Sequence, residues 1–351
     1  MENKIKVAVV GATGYTGQEL VRLLVHHPNV ELEAVTSRSY VGKRLSDVFP
    51  NLRRQVSIVC EDVSVGELAR RAELIFLALP HGEATSMVTT DVLQTAKVID
   101  LGADFRLEDP LQYKEWYHLD HASPKLLPIS TYGLCELNHA AIKKSRLIAN
   151  PGCYATCSIL ALTPLLKSKL IAPDSIIIDA KSGVSGAGRG ATLGTHFNEV
   201  NESIKAYGVT THRHTPEIEQ ELSRQSGHAI TINFTPHLIP MNRGILVTAY
   251  ASLLEGVDDL TVKRAFSEAY DDCSFIRLYD HTEDLLPETR WVKGSNFCDI
   301  SFRIDTRTGR VIVVAVLDNL IKGAAGQAVQ NMNLMYGYDE RTGLAHLPVF
   351  P

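Results

Sequence analysis

Two apolar rhythms divide the chain. In the N-terminal part, short and nearly unbroken apolar runs alternate with longer mixed ones. The short runs are Lys4 to Val10, Val30 to Thr36, Ala72 to Leu79 and Lys97 to Leu101. Runs of this length, rich in Val, Ile and Leu, predict strands buried on both faces. Gln18 to Val25 and Glu83 to Leu93 predict helices between them. Residues 107–145 interrupt the rhythm with polar and aromatic types and predict a connecting region with a short helix near Asn138 to Lys144. Repeated strand–helix units imply a parallel, doubly wound sheet.

The second rhythm begins at a Pro-Gly break. Arg146 to Asn150 reads as a short strand, Pro151-Gly152 ends it, and the apolar run Cys157 to Leu166 is long enough for a helix starting at Cys153. Ser175 to Ala180, Ala229 to Thr235, Gly244 to Leu253, Cys298 to Ile304 and Arg310 to Leu317 predict strands. Thr215 caps a helix with Pro216 at its first position, Glu217 to Leu222 continues it, and Thr261 to Asp271 is another. The last helix starts near Lys322-Gly-Ala-Ala-Gly326 and runs to Met335; its small residues permit close backbone approach. The fold class is therefore α/β: an N-terminal Rossmann-type parallel sheet plus an α+β domain with a mixed or antiparallel sheet.

Composition narrows the function classes. The chain has 351 residues, more than one ordinary core accommodates, with 45% hydrophobic and 21% charged residues. A net charge of −5 gives no sign of a nucleic-acid or membrane surface. The N-terminus enters a strand almost at once, so no signal peptide is expected, and no apolar stretch is long enough to span a bilayer. The cysteines at 60, 135, 153, 157, 273 and 298 lack disulfide-framework or metal spacing, which points to a reducing cytoplasm. Cys153 and Cys157 lie one helical turn apart, poor geometry for a disulfide. His118 and His121 have H-x-x-H spacing without a third ligand, so they are expected to be surface histidines and no metal is expected.

Candidate chemistry sits at the junctions. Gly11-Ala-Thr13-Gly14-Tyr15-Thr16-Gly17 lies between strand and helix with G-x-x-G-x-x-G spacing, a variant of the dinucleotide fingerprint that offers a helix N-terminus to a pyrophosphate. The second strand ends in Ser37-Arg38-Ser39, where an NAD enzyme carries an acidic residue; a cation between hydroxyls predicts NADP. Pro80-His81-Gly82 and Asp104 to Arg106 follow later strands and fall on the cofactor side, and Arg106 is a candidate for an anionic substrate group. A cysteine at a helix N-terminus is biased toward thiolate, so Cys153 is a candidate nucleophile; the alternative is a buried capping residue. Lys181 to Gly190 offers many backbone N–H groups to an anion, and His212-Arg213-His214 lies just before a helix cap.

Together these motifs resemble the longer form of the N-acetyl-gamma-glutamyl-phosphate reductase family, whose wider superfamily includes aspartate-semialdehyde dehydrogenase and, more distantly, glyceraldehyde-3-phosphate dehydrogenase. The resemblance rests on Asn150-Pro-Gly-Cys153-Tyr, Ser182 to Arg189, His212 to Ile218, Phe234 to Pro240 with Arg243-Gly-Ile245, Gly294 to Ile300 and Leu317 to Gln327. It implies NADPH-dependent reduction of a small-molecule acyl phosphate to an aldehyde through a Cys153 thioester, the third step of arginine biosynthesis. It implies a homo-oligomer, dimer or tetramer, and a last helix that packs back on the first domain. The domains would then be 1–150, completed by about 320–351 and holding NADP, and 151–319 for catalysis and oligomerisation. His212 is implied as acid–base, with His214 the other choice. Pro80, Ser182, Gly183, Asn319 and Gly326 join the cofactor contacts. Arg106, Asn150, Ser185, Gly186 and Arg189 would hold substrate or phosphate, with Arg213, His214 and Glu217 orienting it. One departure is Cys135, where the family pattern leads one to expect proline. Rival readings are a reductase of N-succinylglutamyl phosphate or of carrier-bound aminoadipyl phosphate, a non-catalytic NADP-binding sensor, and an alcohol dehydrogenase, which would need no thiol.

Overall fold

The structure, a computed structural model, describes residues 4–350. It divides into two compact units: residues through Pro151 with Ala324–Ala345, and Gly152–Gly323 with the stretch from His346 onward.

The first unit is built on seven strands: β1 (Ile5–Val10), β2 (Val30–Thr36), β3 (Cys60–Glu61), β4 (Leu74–Leu77), β5 (Lys97–Asp100), β6 (Ser130–Tyr132) and β7 (Leu147–Ala149). Their order is β3-β2-β1-β4-β5-β7-β6, and every pairing is parallel. The central strands are apolar on both faces because helices cover both, as the unbroken runs predict. The helix Tyr15–Leu24 follows the glycine turn directly, three residues earlier than the apolar period alone suggests. The expected helix Glu83–Leu93 is two short ones, Ala84–Met87 and Thr90–Thr95. Val88 between them is extended, and the Thr89 side chain caps the second by accepting the Val92 N–H.

Residues 107–145 hold more structure than expected. Besides β6 they contain the helices Pro110–Tyr117 and Cys135–Ile142. The first carries a start signal that periodicity overlooked: Asp109 caps it and Pro110 takes its first position. His121 is not a surface histidine; it is 9% exposed and its Nε2 meets the Asp104 carbonyl at 2.7 Å. The helix Gly326–Tyr336 belongs to this unit, preceded by a π turn over Ile321–Ala325. It is buried from Gly326 to Met335, and its polar side chains bond inward. Gln327 and Asn331 both donate to the Gly133 carbonyl at 2.8 Å. Cys135 opens its helix, a position that also suits proline, and its buried thiol donates to Asn331.

The second unit carries β8 (Ile177–Gly183), β9 (Lys205–Ala206), β10 (Asn233–Ile239), β11 (Ile245–Ser252), β12 (Ile276–Leu278), β13 (Cys298–Asp305) and β14 (Arg310–Leu317). Their order is β12-β13-β14-β11-β8-β10-β9; β8–β10 and β12–β13 are parallel and the rest antiparallel, a mixed sheet. The helix Cys153–Lys167 is apolar all round and buried from Tyr154 to Leu166. It packs on β11 and β14 and against the helices Thr215–Ser226 and Asp259–Tyr270. Along β11, burial alternates strictly: Ile245, Val247, Ala249 and Ala251 face the helices, while Leu246, Thr248 and Tyr250 stay half-buried on the other face.

Candidate active site

Gly152 is the N-cap of the long buried helix and Cys153 its first residue. The first turn carries neither a side-chain cap nor an acidic residue, so the positive end of the dipole falls at the thiol. The approach is fixed from behind. The Gly152 N–H donates to Glu217 Oε1 at 2.8 Å, and Glu217 is fully buried. Glu217 therefore braces the cysteine loop. From another side the π turn presses Gly323 close: a Cβ there would lie 2.7 Å from the Cys153 Cβ and 3.1 Å from its Cα. Cys153 itself is partly exposed.

An aromatic box surrounds His212. Its ring makes edge contacts with Tyr154, Tyr207, His214 and Phe234 at centroid distances of 5.5, 5.4, 4.9 and 5.3 Å. Burial, then the neighbouring His214 and Arg213 charges, push the His212 pKa down to about 3. Its Nδ1 accepts the His214 backbone N–H at 3.1 Å, so the neutral ring carries its proton on Nε2. That tautomer makes His212 a donor. Tyr207 donates to the Tyr154 hydroxyl at 3.3 Å, which donates to the His237 carbonyl at 3.0 Å. Burial pushes Tyr207 up to about 12. Neither tyrosine was singled out as a site residue from sequence; Tyr154 adjoins the cysteine, and that adjacency was the available signal.

The glycine loop divides in two. Ser182 and Gly183 are buried, and a Cβ on Gly183 would lie 2.7 Å from the Asn242 carbonyl oxygen. Gly186 and Arg189 stand in the exposed tip, with Ser185 half-buried before it. Asn319 is also buried: its Oδ1 accepts the Gly244 N–H at 2.8 Å and its Nδ2 donates to Ser185 Oγ at 2.9 Å. Ser182, Gly183 and Asn319 thus form the loop's frame in this structure. Arg213 is exposed and His214 half-buried beside His212.

In the first unit the glycine turn fits a dinucleotide. Gly11 has φ +80, and a Cβ there would meet the Ala78 carbonyl oxygen at 2.4 Å; a Cβ on Gly17 would meet the Gly11 carbonyl oxygen at 2.3 Å. Gly14 caps the helix with no side-chain bond and no acidic residue in the first turn, the uncapped N-terminus a pyrophosphate needs. Tyr15 is 40% exposed, and Thr13 and Thr16 are half-buried at the turn. The Thr13 and Ser37 hydroxyls lie 2.8 Å apart. Arg38 is exposed and paired with Glu83 at 2.8 Å. Pro80 is exposed. Arg106 is buried, its Nε bonded to the Asn150 carbonyl at 2.8 Å and its Nη2 to that of Leu101 at 3.0 Å. Asn150 has no exposed surface; its side chain bonds Asn331 and the Ala324 carbonyl. Gly326 is likewise buried at the start of its helix.

These features match known proteins over nearly the whole chain. Residues 6–145 match the family model for the semialdehyde dehydrogenase NAD-binding domain, and 153–319 that for the semialdehyde dehydrogenase dimerisation domain. Solved structures similar in fold include aspartate semialdehyde dehydrogenase II from Vibrio cholerae, with a TM-score of 0.73, 18% identity, and coverage of 96% of this chain and 99% of that one. Aspartate semialdehyde dehydrogenase with NADP from Candida albicans gives 0.65 at 17% identity, covering 95% and 99%. The class is thus a two-unit nucleotide-dependent oxidoreductase of the semialdehyde dehydrogenase fold. Among curated sequences, an N-acetyl-gamma-glutamyl-phosphate reductase from Lachnoclostridium phytofermentans is 54% identical over 99% of this chain and 100% of its own length. One from Campylobacter jejuni is 52% identical over 97% and 98%. The chain belongs to the N-acetyl-gamma-glutamyl-phosphate reductase family.

Proposed function

We propose that the chain reduces N-acetyl-gamma-glutamyl phosphate to the semialdehyde and inorganic phosphate, using NADPH, with Cys153 as the covalent nucleophile. The observation that carries this reading is the placement of Cys153 at the first position of a buried fifteen-residue helix without a cap or a first-turn carboxylate. The thiolate attacks the acyl carbon, a C–S bond forms, the C–O bond to phosphate breaks, and a thioester remains. When bound, NADPH supplies the hydride that converts thioester to thiohemiacetal. His212 donates a hydrogen bond from Nε2 to the oxygen that bears the developing charge; if that oxygen takes the proton it returns it to Nε2 as the C–S bond breaks, leaving aldehyde and thiolate. Help of this kind is typically worth ~10²–10⁴-fold. This donor role is the chemistry the tautomer supports; the dipole, more than a base, maintains the thiolate.

The first unit, including Ala324–Ala345, is assigned to NADP, with Gly11 to Gly17 on the pyrophosphate and Ser37 and Arg38 on the 2′-phosphate; for that, Arg38 must leave Glu83. Arg106, whose orientation two carbonyls fix, is assigned to the transferred phosphate. The second unit is assigned to catalysis and to assembly as a homo-oligomer, dimer or tetramer. Its sheet leaves Leu246, Tyr250, Ile312 and Val314 half-buried on the face away from the helices, an apolar face suited to a second copy. The six free cysteines agree with a cytoplasmic setting. The test is phosphate-dependent NADP reduction by the purified protein with N-acetyl- against N-succinyl-glutamate semialdehyde. Faster turnover of the acetyl substrate supports the reading, and a preference for the succinyl one transfers it to that substrate.

A further inference from the structure

We propose that Asp104 is a positioning residue that locks the loop after β4 and the arginine-bearing loop after β5 into one block, so that cofactor and phosphate sites are held by a single buried carboxylate. This rests on the expectation that Pro80 contacts the cofactor and on the assignment of Arg106 to phosphate.

Asp104 has no exposed surface. Its Oδ1 accepts the Gly82 N–H at 2.6 Å and the Tyr113 hydroxyl at 2.8 Å. Its Oδ2 accepts the N–H groups of Ala84 at 2.8 Å and Thr85 at 3.3 Å. Three backbone N–H groups, one in the loop that follows Pro80 and two in the short helix after it, are therefore bonded to one side chain from the loop after β5. The same residue is held at its backbone. Ser123 donates its N–H to His121 Nδ1 at 3.1 Å, which leaves the proton of the neutral ring on Nε2, and this donates to the Asp104 carbonyl at 2.7 Å. Ser123 Oγ closes the ring of contacts by donating to the Thr85 carbonyl at 2.7 Å. Tyr113 stacks on Tyr117 at 4.8 Å, and Tyr117 packs against His81 at 5.6 Å.

Two residues on, Arg106 is fixed by the carbonyls of Leu101 and Asn150. Its backbone cannot move independently of Asp104, because Phe105 between them is buried and its carbonyl accepts Ser130 Oγ at 3.2 Å. A carboxylate that accepts several backbone N–H groups in a dry site is a strong, directional anchor. It is also an odd choice for a purely structural joint, since burying a charge is costly unless every lone pair is used. Here four donors use it, and the two loops so joined carry Pro80, expected at the cofactor, and Arg106, assigned to phosphate.

The test compares full-length wild type, Asp104→Asn, Tyr113→Phe, Arg106→Ala and the Asp104→Asn/Arg106→Ala double variant. The NADPH dissociation constant is read by fluorescence titration, and KM for phosphate in the aldehyde-oxidising direction. Asp104→Asn turns one acceptor into a donor facing backbone N–H groups and should raise both constants about tenfold, while the iodoacetamide labelling rate of Cys153 stays at the wild-type value. Tyr113→Phe, which removes one donor, should raise both by about threefold. The double variant should show a phosphate KM no higher than Arg106→Ala alone, because Asp104 acts on phosphate through that arginine. Multiplying penalties, or a folded Asp104→Asn with both constants unchanged, overturn the proposal. If Asp104→Asn does not fold, Tyr113→Phe decides it in the same way. If Arg106→Ala leaves the phosphate KM unchanged, the assignment of Arg106 fails; the lock is then judged on NADPH affinity alone, a tenfold loss supporting it and no change overturning it.

Discussion

Gly323→Ala should reduce turnover while leaving the protein folded. The added Cβ would sit 2.7 Å from the Cys153 Cβ, 3.1 Å from its Cα and 3.2 Å from Leu317 Cδ1. Carbon pairs in contact lie roughly 3.5–4.0 Å apart, so the methyl and the cysteine must separate by about 1 Å. Neither side yields easily. The π turn is tied by the Gly323 N–H to the Asp318 carbonyl at 3.0 Å, and Cys153 opens a helix buried along its length. Overpacking of this kind costs typically 1–3 kcal/mol, and a nucleophile misplaced by about 1 Å costs on the order of 10²-fold in rate. The assay is kcat for phosphate-dependent NADP reduction, alongside Tm and the rate of Cys153 alkylation. A drop in kcat far larger than the loss of stability predicts is the expected signature. An alanine variant with wild-type kcat and wild-type alkylation would refute the claim that this contact sets the thiol's position.

Cys153→Ser should abolish phosphate-dependent aldehyde oxidation and leave NADPH binding intact; a substantially active serine variant would exclude the thioester route. Arg38→Ala should raise KM for NADPH far more than for NADH, and an enzyme that prefers NADH from the start removes the argument. His212→Asn should lower kcat by ~10²-fold or more, and because the wild-type ring is neutral down to about pH 3, no limb of the pH–rate profile near 6.5 should vanish with it. Asp100 offers a stability test. Burial, then the Asp104 charge, raise its carboxyl to about 7, so between pH 4 and 7 the native state holds a proton the unfolded chain has lost. Stability from this group is therefore present at low pH and declines as pH rises through 7. Asp100→Asn should raise Tm at pH 8 more than at pH 5; a pH-independent change would contradict the assignment.

Much of this architecture was legible because its signals are local. The apolar runs around Val7, Ile75 and Val98 each identify a strand, and the glycine spacing at 11, 14 and 17 identifies the turn that follows. Cys153 was readable for the same reason: Pro-Gly followed by an apolar run marks a helix start. Features that depend on distant partners were not. Nothing near Glu217 in sequence shows that its carboxylate meets Gly152, 65 positions away. Asn150 and Asn319 suit ligand contacts by type, and nothing near them in sequence shows the bonds they make to Asn331 and to the Gly244 N–H. The helix Pro110–Tyr117 escaped notice because its apolar positions follow no strong period, although its Asp-Pro start was present.

The helix Gly326–Tyr336 has a consequence for how the chain is made. It completes a sheet whose other elements end at Pro151, so the first unit cannot close until more than half the polypeptide has followed it. At ~5–20 residues per second, synthesis of the intervening stretch takes roughly 10–35 s, during which the Gly133 carbonyl lacks Gln327 and Asn331. The second unit is made almost in one piece, Gly152 to Gly323, with only the stretch from His346 onward added later. The first unit is thus begun first yet completed only once the C-terminal helix has been made, and an N-terminal fragment stopped at Pro151 should stay soluble only if that helix is supplied in trans or grafted on.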